Sequence, residues 1–344
     1  MKRIKTIYKS IALVALAFAS FVFAGCDRLH EDLQPCERGI RLKLYYDYNM
    51  KFADAFPSEV RNVSVYVFDP ANGSVIDRIN IPVGEVREHE FEVNLDHLAP
   101  GHYDFLIWCY GESVKHFTVR PNRADEEIRQ NYSCLMSEDE GAPGHQHNDI
   151  GRLYHGKLYN ADCSDEQRIV TFDVPLVKNT NVVRLVLQNL NGKYLPPEKF
   201  DITLESDNGH MDPDNMLIAG HNRVYHPWEV RSGTTGMNKF IGDTRAITSV
   251  SALVAEHTIG RIVPGNDVRL RVRNTETGKD IIDLPFIDYA LLVKGNYNRP
   301  MSDLEYLDRQ DEYNMVFFLD DKLEWINQYI YINSWRIVLQ ETDL

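Results

Sequence analysis

Apolar residues fall at every second position in Ile40, Leu42, Leu44, Tyr46 and Tyr48, and again in Val63, Val65 and Val67. A repeat of two buries one face of an extended strand and leaves the other to solvent. Helical spacing of three and four is scarce. Similar β-rich runs lie at 91–95, 103–110, 114–119, 168–174, 182–187, 200–204, 250–254, 268–272, 281–286, 313–319 and 329–339. Turn-forming residues separate them, as in Asp69-Pro70-Ala71-Asn72-Gly73, Ala99-Pro100-Gly101, Asn191-Gly192, Pro264-Gly265-Asn266 and Lys294-Gly295-Asn296. Many short strands with frequent turns predict an all-β protein of antiparallel sandwiches. Two stretches, Arg123 to Met136 and Met301 to Arg309, read as helical or irregular. The polar, glycine-containing stretch from Ser137 to Gly151 reads as a mobile surface loop.

One sandwich uses roughly 100 residues, far fewer than this chain of 344 supplies. Two domains are therefore expected, with the boundary between Pro175 and Thr180, after the run that ends at Val174. The predicted organisation is 1–25 signal peptide, 26–38 N-terminal tether, 39–177 first sandwich and 178–344 second sandwich.

The N-terminus departs from the strand pattern. Lys2, Arg3, Lys5 and Lys9 precede an apolar run from Ile11 to Phe23 broken only by Ser20, which is the layout of a signal peptide. The run is shorter than the roughly 20 apolar residues of a spanning helix. Phe23-Ala24-Gly25-Cys26 resembles the bacterial lipobox, in which small residues precede a cysteine that takes a diacylglycerol. The alternative is an ordinary secretory cut with Cys26 left free or disulfide-bonded. Each buried CH₂ adds about 0.8 kcal/mol, so several acyl chains on Cys26 would hold the protein stably on a membrane. Beyond residue 25 the apolar runs are only a few residues long, and the rest of the chain is expected to be soluble.

Cleavage removes four positive charges and moves the formal net charge from −14 to −18. Such a surface disfavours nucleic acid and anionic lipid. With Cys26 acylated, Cys36, Cys109, Cys134 and Cys163 remain, an even number in an oxidising compartment. Pairing Cys36 with Cys109 and Cys134 with Cys163 is preferred, since Cys109 lies in a strand-like run and Cys36 precedes the first strand. Three connectivities stay open, as do buried free thiols.

Signals for chemistry are weak. His145 and His147, followed by Asp149 and His155, are competent metal ligands in type, but a segment read as mobile gives them no frame. Asp207, Asp212, Asp214 and Asn215 around Gly209 invite a calcium reading. The order of a calcium loop is missing, and Asp and Asn also dominate ordinary turns. His89-Glu90 has Val93 where a zinc-protease helix needs its second histidine. No nucleophile-elbow, phosphate-loop or dinucleotide motif occurs. No enzymatic activity and no cofactor other than the Cys26 lipid are expected. The terminal run from Tyr329 to Leu339 reads as a last core strand, or as an edge or donor strand for a partner.

Several segments together resemble a known family. They are Asp32-Leu33-Gln34-Pro35-Cys36, Leu42 to Met50 with Ala53-Asp54-Ala55-Phe56, Val63 to Asp69, Leu153-Tyr154-His155-Gly156 and Ile332-Asn333-Ser334-Trp335. With the lipobox cysteine they are similar to the FimB/Mfa2 family of Bacteroidetes fimbrial anchor lipoproteins. Asp27, Glu31 and Asp32 also resemble the acidic signal that sends lipoproteins of that phylum to the outer face of the outer membrane. The resemblance implies two tandem transthyretin-like sandwiches tethered by lipid, anchoring a fimbria and limiting its length. It implies fimbrillin subunits as partners, held through a β-strand or sheet edge. Two other readings remain: a surface glycan-binding lipoprotein with an aromatic platform, and a stalk or tip subunit of the same system.

Overall fold

The computed structural model describes residues 38–82, 91–123, 126–166, 168–241, 244–295, 298–327 and 329–338. The first half opens with β1 (Gly39–Tyr45), a single turn α1 (Phe56–Glu59), β2 (Asn62–Phe68), β3 (Val75–Pro82), β4 (Phe91–Asn94) and β5 (His102–Tyr110). The chain then leaves on an excursion through β6 (Phe117–Pro121), β7 (Tyr132–Met136) and β8 (His145–Gln146), and returns as β9 (Leu153–Asp162), β10 (Ile169–Pro175) and β11 (Val177–Lys178). One sheet has the order β10-β1-β4 and the other β11-β9-β5-β2-β3. Ile40, Leu42 and Leu44 of β1 share a buried cluster with Val63, Val65 and Val67 of β2, as their period of two predicts. β1 runs parallel to β10 and antiparallel to β4.

β5 is buried on both faces. Tyr103, Phe105, Ile107 and Cys109 enter the cluster beneath β1, while Leu106, Trp108 and Tyr110 join a second cluster with Tyr132, Cys134 and Met136 of β7. A strand covered on both sides loses its alternation, which explains the nearly unbroken apolar run there.

The second half contains β12 (Thr180–Asn189), β13 (Phe200–Ser206), β14 (His210–Met211), β15 (Arg223–Tyr225), β16 (Glu229–Ile241), β17 (Thr244–Gly260), β18 (Val268–Asn274) and β19 (Asp280–Pro285). Two short helices follow, α2 (Phe286–Leu292) and α3 (Asp303–Arg309), then β20 (Glu312–Leu319), β21 (Tyr329–Ile332) and β22 (Trp335–Val338). Its sheets are ordered β16-β17-β12-β20-β21-β22 and β19-β18-β13-β15-β8, and a third joins β14-β7-β6. Leu185, Leu253 and Phe317 from the first of these meet Ile202, Leu270 and Leu284 from the second in one core. The all-β, largely antiparallel reading holds, with parallel pairs at β1–β10, β12–β20 and β8–β15.

Four local expectations need correction. Within Arg123 to Met136 the described chain makes only a 3₁₀ turn at Arg129–Asn131 and then the strand β7. The stretch 137–151 is built into the fold: β8 pairs with β15, Gln146 is buried, and Glu138 pairs with the buried Arg223 at 2.9 Å. The 281–286 run ends its strand at Pro285 and turns into α2. The terminal run is a hairpin, because Asn333 and Ser334 take left-handed φ of 47° and 70° between β21 and β22. Met301 to Arg309 does contain a helix, α3, capped by Ser302 accepting from the Glu305 amide.

A two-residue hairpin turn with both φ positive favours Asn-Gly, and Ser334 pays a side-chain penalty there. Ser334→Gly is expected to raise stability by about 1 kcal/mol, read as a higher urea midpoint at unchanged slope. A lower midpoint would show that the Ser334 side chain stabilises the turn.

Candidate functional site: a pinned junction between the two halves

Cys26, its neighbours and Cys36 lie outside the described residues, as do His89 and Glu90. The description begins at Arg38, one residue before β1. β1 is the middle strand of its sheet, paired along its length with β10 and with β4 on the other side. Load applied to this end would therefore fall on a strand held at both edges.

Between the halves, polar contacts concentrate. Lys178 of β11 is 5% exposed, and its amino group lies 3.0 Å from Glu59 Oε2 and 2.5 Å from Asp311 Oδ2. Glu59 also accepts the Tyr154 hydroxyl at 2.6 Å. Although burial alone would raise the Glu59 carboxyl, Lys178, Tyr154 and Arg152 together hold it below the usual carboxylate range. Next in the chain, Asn179 exchanges two amide hydrogen bonds with Asn215, at 2.6 and 3.1 Å. Arg261 forks onto Asp308 at 2.9 and 2.8 Å and also donates to the Asn215 carbonyl. His155 Nε2 donates to the Pro213 carbonyl at 3.0 Å, and Lys157 reaches Asp214 at 2.6 Å.

The aspartate cluster thus has a structural task. Asp207 accepts from the Gly220 and His221 amides, and Asp212 from those of Asp214 and Met216. Asp214 faces Lys157, whose hydrogen bond holds its carboxyl below the ordinary range. The three carboxylates serve different partners: Asp207 holds the 220–221 backbone, Asp212 closes its own turn, and Asp214 alone ties the 212–215 turn to Lys157 of β9. Among the described residues, no group of three or more His, Cys, Asp or Glu is arranged to hold a metal.

His145 and His147 are joined by a third imidazole the sequence reading missed, His226, which follows β15. His145 Nδ1 lies 2.8 Å from His226 Nε2, and the His147 and His226 rings stack at 3.9 Å and 1°. His147 Nδ1 is 2.6 Å from Asp139. Burial and its two imidazole neighbours push the His226 pKa below the ordinary value. His147 and His226 thus meet face to face, while His145 and His226 share a nitrogen-to-nitrogen hydrogen bond. Asp149 accepts the Thr258 hydroxyl at 2.7 Å, and His155 is buried edge-on to Trp108.

Cys109, Cys134 and Cys163 are buried free thiols. The preferred pairing of Cys134 with Cys163 is not formed, because Cys134 lies in the core shared with the second half and Cys163 in the core beneath β1. The partner chosen for Cys109, Cys36, lies outside the described residues, and the Cys109 thiol is unpaired. Burial pushes all three thiols up, Cys163 to about 11.

A profile of fimbrillin-A associated anchor proteins, Mfa1 and Mfa2, matches residues 33–341. The chain belongs to this family. The minor fimbrium anchoring subunit Mfa2 of Porphyromonas gingivalis is 22% identical over 329 residues, spanning 93% of this chain and 92% of that protein. The solved structure of the fimbrial anchor protein Mfa2 from Porphyromonas gingivalis shares the fold, with a TM-score of 0.62 at 20% identity over 89% of this chain and 100% of that one. A crystallised candidate adhesin from Bacteroides thetaiotaomicron has a TM-score of 0.75 at 29% identity, over 90% of this chain and 100% of its own.

The residues that carried the Mfa2-family resemblance now have physical roles. Asn49 is buried and donates to the Tyr46 and Ala53 carbonyls, while Asp54 accepts from the Tyr46 and Phe56 amides, folding 46–56 into a tight loop after β1. Tyr154 meets Glu59 and His155 meets Pro213. Gly156 lies so close to Leu176 that a Cβ there would sit 2.7 Å from its Cδ2. The Leu153-Tyr154-His155-Gly156 landmark is therefore part of the junction, and Asn333-Ser334 is the β21–β22 turn.

Proposed function

We propose that this protein is the lipid-anchored base of a fimbria, holding the first fimbrillin subunit at the outer membrane and limiting filament length. The observation that carries the reading is the match to the anchor family along residues 33–341. In this reading the signal peptide is removed and Cys26 carries acyl chains at the cell surface. Two tandem sandwich domains, 39–177 and 178–344, bridge from the tether to the filament. No catalytic step is assigned.

Strand or edge pairing is the contact we assign to the fimbrillin. β22 ends the six-stranded order, and such an edge offers main-chain donors and acceptors to another strand. Deleting the gene should release longer or loosely held filaments into the medium. Cys26→Ala should abolish palmitate labelling and reproduce that release. Labelling unchanged by Cys26→Ala would sink the lipid assignment, and filaments of unchanged length and attachment in the deletion strain would sink the anchoring role.

A further inference from the structure

The β21–β22 turn closes one side of a cleft of about 360 Å³, opposite α3 and the start of β20. Trp335 stands at this rim 66% exposed, the most exposed large hydrophobic side chain among the described residues. An indole with its face in water is a poor use of apolar area unless something covers it. The other lining groups are mostly uncharged and polar: Asn298, Gln310, Asn314, Asn333 and Ser334, with Glu312 as the single charged side chain of the lining.

Several of these groups are already oriented. Gln310 donates through Nε2 to the Glu312 carbonyl at 2.6 Å, which leaves its side-chain oxygen as an acceptor. Asn333 accepts the Asn314 amide at 2.8 Å, leaving its NH₂ as a donor, and this bond fixes the turn to β20. Asn298 Oδ1 is buried without a partner. A buried polar atom left unpaired costs free energy until a ligand or water satisfies it.

We propose that this cleft binds a neutral oligosaccharide. A pyranose ring offers an apolar C–H face, which the negative face of an indole attracts, and a rim of hydroxyls that pair with amide donors and acceptors in both senses. The cleft volume falls at the low end of small-ligand sites, the size of one or two sugar rings. The acidic chain, with a formal net charge of −14, disfavours an anionic sugar. A peptide strand would instead use main-chain pairing along β22, with pockets for alternate side chains. Amide side chains around an exposed indole do not supply those.

The test uses the full mature protein in detergent with cellobiose, maltose, mannobiose, lactose and di-N-acetylchitobiose, read by calorimetry and saturation-transfer NMR. At least one should bind with little dependence on salt, as expected for an uncharged ligand. Trp335→Ala should weaken it at least about tenfold, and Trp335→Phe should retain part of the affinity. Gln310→Ala and Asn298→Ala should each weaken it severalfold, which keeps the test valid should the tryptophan variant fold poorly. No binding of any of the five sugars at about 10 mM, or equal binding by Trp335→Ala and the native protein, overturns the proposal. So does occupation of the cleft by a fimbrillin peptide that none of the sugars displaces. Filament anchoring is expected to be intact in Gln310→Ala and Asn298→Ala, neither of which lies in β22, so failure here and failure of the anchoring role are separable.

Discussion

Lys178→Ala is expected to destabilise the protein by about 3–5 kcal/mol, the cost of removing one partner from a buried ion pair. The ammonium is 5% exposed and stands between Glu59 at 3.0 Å and Asp311 at 2.5 Å. Its loss leaves two carboxylates facing one another without their counter-charge. Glu59 should then lose its depressed pKa, since Lys178 is the largest influence lowering it. The triple variant Lys178→Met, Glu59→Gln, Asp311→Asn should recover most of the loss, because neutral side chains of similar volume carry no desolvated charge. Urea unfolding of the three proteins checks this. A Lys178→Ala midpoint equal to the native one would show that the network is decorative. The network spans α1, β9, β11 and the residue before β20, so a weakened junction should also yield sooner under force applied between Cys26 and the second half.

Acid is expected to unfold the protein well above the ordinary carboxylate range. Burial lowers His155 to about 3 and His257 to about 4, against about 6.5 for the unfolded chain. The folded state therefore keeps both imidazoles neutral where the unfolded state binds protons. Stability is complete above pH 6.5 and falls as pH drops below it, with a slope approaching two protons, about 3 kcal/mol per pH unit, from these two rings, to which His210, lowered by burial to about 4, adds in the same direction. The fall continues to about pH 4 and then slackens toward 3 as each folded imidazole titrates. Below about pH 4.5 the depressed Glu59 adds a further loss in the same direction. Unfolding curves at pH 7.5, 6 and 5 measure the slope, and His257→Gln should lower it by about one proton, a third of the share of His155, His210 and His257. Equal stability at pH 7.5 and 5 would contradict the burial of these rings.

The strands with one face in a core were legible because alternation is a local signal. Ile40 to Tyr46 and Val63 to Val67 needed no knowledge of their partners. β3 and β16 were not singled out, being edge strands with many polar residues. The 137–151 stretch looked loose because its order comes from residues about 80 positions away, Arg223 to His226, which nothing in its own composition announces. The final run looked continuous because its turn is Asn-Ser rather than the familiar Asn-Gly. The site was less legible than the fold. Lys178 and Asn179 occupy a short polar gap between two strands, and only three-dimensional proximity to Glu59, Asp311 and Asn215 gives them a role. Chance clustering and purposeful clustering of Asp207, Asp212 and Asp214 are indistinguishable until their separate partners are seen.

The double burial of β5 also dictates an order of events as the chain is made. Its outer face, with Leu106 and Trp108, is covered by β6 and β7, whose own edge is completed by His210 and Met211. β8 waits likewise for Val224 and Tyr225. A chain emerging N-terminus first cannot close its leading half until residues 210–225 have followed it, and every such pairing has a long loop to close. High contact order of this kind makes folding slow. The incomplete intermediate exposes apolar surface and strand edges to its neighbours, so the leading half is open to aggregation until the second half arrives to cover it.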